Sequence, residues 1–159
     1  MNGGLVPLML LSAAMGLMLA LVPARRALFA LTLFAVAAVL GLAVPPGVSP
    51  DSIFVALWLS AIVAAVMVYF PASRWSAAVL PLCLIAGYWL GASASLAGSA
   101  TTLALAMLPL LITIPARWIA GRKLDLVIKV AASWLIAIAA LSLFVSLVPT
   151  PGYKPDHME

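Results

Sequence analysis

Along this chain apolar residues do not alternate with polar ones; they come in long unbroken blocks. Six blocks follow one another, each close to the roughly 17 to 25 residues that a helix needs to cross a bilayer. They run Gly4–Val22, Ala27–Val44, Ser52–Phe70, Ser76–Leu96, Ala100–Ile119 and Leu124–Val148. Between them stand PARR, PPGVSPD, PASRW, a Gly/Ser stretch around Leu96–Ser99, and GRK. Connections this short fold neighbouring helices back on each other as antiparallel hairpins. The pattern predicts an all-α integral membrane bundle over residues 1–150, built from six helices in three hairpins, with a polar tail over residues 151–159. The stretch GASASLAGSATT, Gly91 to Thr102, leaves three readings open: a loop, a packed helix end, or a break lining a cavity.

Composition agrees with this picture. Of 159 residues, 67% are hydrophobic and 8% charged, and the mean hydropathy is +1.28. A soluble domain carries roughly 25% charged residues to cover its core. The expected solvent is therefore the lipid bilayer. The opening MNGGLVPLMLL has no basic residues ahead of its apolar run, unlike a secretory signal, so the first helix is expected to be retained.

The net charge of +4 changes the picture only through its distribution. Nucleic-acid readers gather Lys and Arg in dense patches within polar surroundings. Here the bases sit in short connections between apolar blocks, which argues against nucleic acid as a partner. Arg25 and Arg26 fall in the first connection, Arg74 in the third, and Arg117, Arg122 and Lys123 around the fifth. The second and fourth carry no base, and the second holds Asp51. Positive connections stay cytoplasmic, so the odd loops are expected inside and both termini outside. Lys129 lies about 8 Å into the sixth helix at ~1.5 Å per residue, within snorkelling reach of the same side. Tyr69, Phe70, Trp75 and Trp118 gather at that boundary, where amphipathic rings favour the headgroup level. Trp134 lies deeper, as a packing or a lipid-facing ring. The Ala/Leu/Val-rich composition points to a bacterial inner membrane.

The stretch TIPARWIAGRKLDLVIK, Thr113 to Lys129, holds half of the basic residues and reads as the turn of the third hairpin. Its Pro115-Ala116-Arg117-Trp118 repeats Pro23-Ala24-Arg25-Arg26 and, with one inserted serine, Pro71-Ala72-Ser73-Arg74-Trp75. The three copies stand roughly 45 residues apart, a spacing at which internal repeats show themselves. Either three hairpins repeat with rough threefold symmetry, or proline and arginine recur because each suits a helix end at a membrane surface.

Candidate chemistry is sparse. The one histidine, His157, sits in the tail beside Asp156 and Glu159, so histidine-ligated haem, a histidine metal cluster and a Ser-His-Asp triad lack their residues. The single cysteine, Cys83, has no base beside it and reads as a small core residue. No cofactor, metal or catalytic residue is expected. Asp125 and Lys129, four residues apart, share a helix face and form a candidate ion pair or proton relay. Pro81 and Pro109 fall inside predicted helices; Pro109 withholds a donor from the Leu105 carbonyl, as a hinge or an ion-coordinating break would.

Small residues mark packing faces. Gly87 and Gly91 form a GxxxG pair that Cys83 and Ser95 extend, and Ser12 and Gly16 make a second stripe on the first helix. Scattered methionines read as adaptable packing residues rather than copper ligands. Two functions follow. One is a non-enzymatic accessory or scaffold subunit of an inner-membrane complex, in contact with other membrane subunits or with itself. The other is a small oligomeric permease or channel for an uncharged or weakly polar solute.

Overall fold

The computed structural model describes residues 5–44, 47–70, 77–97, 100–122 and 125–147, except the side chains of Asp125, Ser146 and Leu147. These residues form α1 (Leu5–Ala20), α2 (Ala24–Ala43), α3 (Pro50–Met67), α4 (Val79–Leu96), α5 (Ala100–Met107), α6 (Thr113–Gly121) and α7 (Asp125–Leu147). A 3-10 helix, Leu108–Ile112, joins α5 to α6. No strand occurs among the described residues. Helices α2, α3, α4 and α7, and the joined segment Ala100–Gly121, are each long and apolar enough to cross a membrane; α1 is apolar but shorter. The chain is a helical membrane protein.

Local chemistry explains where the helices begin. Pro23 precedes α2 with φ −52°, and its carbonyl accepts the first intrahelical bond, from the Ala27 N–H at 2.9 Å. A proline there stops α1 and is pre-set to start α2. Arg25 and Arg26 thus occupy the first turn of α2 rather than a loop, a correction to the block boundary at Ala27. Ser49 caps α3 by accepting from the Ser52 N–H at 3.3 Å, with Pro50 and Asp51 in the first turn. Helix α4 begins at Val79, so Pro81 lies in its first turn, where no donor is missed.

Helix α1 fills the centre. Leu11, Met15 and Met18 are fully buried, and α1 packs against every other helix. Around it stand α3, α4, α7 and the broken segment α5–α6, while α2 lies mainly on α4. Buried polar side chains among the described residues are Ser12 and Ser60 alone. The outer faces are apolar: Leu126, Trp134, Leu141 and Phe144 of α7 are all more than half exposed. Lipid is as apolar as leucine, so close van der Waals packing rather than hydrophobic drive must hold these helices together.

Candidate functional site

Three places concentrate what is unusual in this bundle. The first is the α2–α4 interface. A methyl group at Gly91 would be driven into the Ala38 carbonyl oxygen, one at Gly87 into the Phe34 carbonyl, and one at Gly41 into the Tyr88 carbonyl. Phe34 faces residue 87, Ala38 faces 91, and Gly41 lies between Tyr88 and Ala92. The numbers rise together, so α2 and α4 run parallel with backbones in contact. Cys83 is buried on the same helix, and Ser95 bonds back to the Ala92 carbonyl at 2.7 Å. The Tyr88 hydroxyl donates to the Val44 carbonyl at 3.1 Å, closing the end of α2.

The second is the break in the fifth block. Pro109 has no N–H to offer the Leu105 carbonyl, and the helix tightens into 3-10 geometry from Leu108. Thr113 restarts it, donating its hydroxyl to the Leu110 carbonyl at 2.6 Å. The break rests on α1 at Gly16, where an added methyl would lie 2.7 Å from Ile112 Cγ2 and 3.2 Å from Thr113 Oγ1. Leu19 shares a cleft with Thr113, Ile114 and Arg117. Ser12 lies one turn before Gly16 on α1. Ser12 is fully buried and, among the described residues, neither its hydroxyl nor the buried Trp58 indole N–H has a hydrogen-bond partner.

The third is a polar node between α3 and α7. The Tyr69 hydroxyl donates to the Lys129 carbonyl at 2.8 Å and also meets the Ser133 hydroxyl. Ser133 itself donates to the same carbonyl at 3.0 Å. The Lys129 side chain is exposed. Asp125 opens α7 one turn earlier, with its side chain outside the described residues, as are Lys123, Arg74 and the whole tail.

The part of the predicted third-hairpin turn from Thr113 to Gly121 is helical. Helix α6 runs through Arg117 and Trp118 to Gly121, and Pro115 is tolerated because it stands in the first turn of α6. Arg122 then stacks its guanidinium 3.7 Å above the Trp118 ring, a cation–π contact. Of the three Pro-Ala-Arg copies, Pro71–Trp75 lies outside the described residues, and the other two differ in form. Pro23 precedes a helix, whereas Pro115 lies within one. Trp134 is 69% exposed and faces outward from the bundle.

Among the described residues no three His, Cys, Asp or Glu side chains gather to hold a metal. Sequence reasoning missed Gly41, Trp58 and the partners of Tyr69. Gly41 gave a faint signal, a four-residue step from Ala37, but alanine is common enough here to hide it. The chain matches no family model, no curated protein and no solved structure.

Proposed function

We propose that this protein is a non-enzymatic subunit of a larger assembly in a bacterial inner membrane. It crosses six times, with its arginine-bearing turns in the cytoplasm and both termini outside. The observation that carries this reading is the packed centre. Helix α1 fills it with Leu, Met and Ala side chains. A permease for a polar solute needs a lined path near the midplane, and the buried polar side chains described there are two serines. The parallel pairing of α2 with α4 supports alternate crossing. The glycine stripes of α4 and α1 face inward, so a partner would meet the apolar outer faces of α7 and the broken segment.

The experiment is native purification of the full chain in mild detergent, with subunit stoichiometry read by mass spectrometry. Foreign membrane subunits at fixed stoichiometry support the proposal. A lone chain or a homo-oligomer rejects it. The second reading, a small permease for an uncharged or weakly polar solute, is favoured by the helix break at Pro109, which packs on the same helix that carries the buried Ser12 hydroxyl, without a partner among the described residues. Solute flux into liposomes that Pro109→Ala abolishes, with insertion intact, would replace the first reading by the second.

A further inference from the structure

The arginine-bearing end of the bundle has two clefts, one on each side of α2. One, of about 390 Å³, lies between α2 and the broken segment. Leu19 of α1 lines it, with Leu31 of α2 and Leu110, Ile114, Thr113 and Arg117 opposite. The other, of about 450 Å³, lies between the starts of α2 and α4, with Arg25 and Arg26 beside Phe29 and Leu80. The first exists because α2 packs on α4 while the broken segment packs on α1, so the two share no extensive interface.

Water is a poor occupant for the first cleft. At ~30 Å³ each, on the order of a dozen molecules would fill it. Thr113 has already committed its proton to the Leu110 carbonyl, and the rest of the lining is apolar except Arg117. Hydrocarbon fits such a surface. The charge is what sets it apart from ordinary lipid-facing protein. Arg117 stands one turn beyond Thr113, and Arg25 and Arg26 adjoin Ala24, which lines the same cleft. Among the described side chains, none of the three arginines meets an acid or a ring, unlike Arg122 on Trp118. A guanidinium binds phosphate through two parallel hydrogen bonds, and basic sites between membrane helices take anionic lipid headgroups.

We propose that the cleft between α2 and the broken segment holds an acyl chain of an anionic phospholipid, whose phosphate is bound by Arg117. Arg25 and Arg26 add positive charge beside it. The test is native mass spectrometry of the purified full chain titrated with dioleoyl phosphatidylglycerol or dioleoyl phosphatidylcholine. The anionic lipid should bind about tenfold more tightly, the worth of a charge-assisted hydrogen bond. Arg117→Gln should cut that preference to about threefold or less, whereas Arg122→Gln leaves it unchanged. Ala27→Phe, which fills the cleft, should weaken binding of both lipids; if it fails to insert, Leu111→Trp at the rim does the same. Excess inorganic phosphate should not displace the bound lipid. Equal binding of the two lipids overturns the proposal, and so does an Arg122→Gln loss as large as that of Arg117→Gln. Displacement by phosphate alone would show an anion site that holds no chain, and also overturns it.

Discussion

The α2–α4 interface and the seat of the broken segment on α1 both rest on glycine, yet they differ in what the glycine touches. At Gly91 and Gly41 the neighbour is a peptide carbonyl of the facing helix. At Gly16 it is the end of an isoleucine side chain and a threonine hydroxyl. A backbone cannot step aside without moving its helix; a side chain can change rotamer. The first contact is therefore a rigid join and the second an adjustable one. A helix that has already lost its regular ladder at Pro109 rests on the adjustable one.

The difference can be broken most sharply at its rigid end. Gly91→Ala and Gly41→Ala should each destabilise the bundle by about 3 kcal/mol, the upper range for overpacking a tight core. Unfolding by dodecyl sulfate titration in mixed micelles measures this. Gly16→Ala should cost about 1 kcal/mol or less, because Ile112 can yield and alanine favours the helix. Ile112→Ala in the same chain should cancel most of that cost, as a coupled pair does. If Gly16→Ala proved as damaging as Gly91→Ala, the contrast would fail.

Smaller effects sharpen the account at the polar groups. Tyr69→Phe removes the hydroxyl that ties the end of α3 to the Lys129 carbonyl, and should cost about 0.5 to 1 kcal/mol. Gly121, at the end of α6, has open space around it, so Gly121→Ala should change stability by about 0.5 kcal/mol at most. Ser12→Ala should be neutral or slightly stabilising, since a buried hydroxyl without a partner costs free energy. A loss of about 1 kcal/mol or more there would reveal a bound partner for Ser12 and favour a solute path.

Much of the helical architecture was legible because lipid demands long apolar blocks, and block length sets helix length. Boundaries slipped where hydropathy and hydrogen bonding disagree. Arg25 and Arg26 are polar, so they looked like loop, yet the Pro23 carbonyl had already begun the helix. Pro81 and Pro109 looked alike within their blocks; only the start of α4 at Val79 separates a harmless first-turn proline from one that interrupts a span. The GxxxG pair on α4 was visible, but its receiving surface on α2 was not. Phe34 and Ala38 carry no mark in an alanine-rich helix, and Gly41 only a faint one, until the parallel register places them against residues 87–92. The stretch Gly91–Thr102 is resolved on its helical side: α4 continues to Leu96 and α5 starts at Ala100. Its residues 98–99 lie outside the described ones.

With Leu11, Met15 and Met18 fully buried, α1 should close the middle of the bundle to water. Single cysteines at Ser12 and Met15, in a Cys83→Ala background, test it in membrane vesicles with a charged, water-soluble thiol reagent. Gly47→Cys, exposed between α2 and α3, serves as the reactive control on one face. Ser12→Cys and Met15→Cys should stay unmodified until dodecyl sulfate unfolds the chain. Modification of either one in intact vesicles would show an aqueous path through the centre and contradict it.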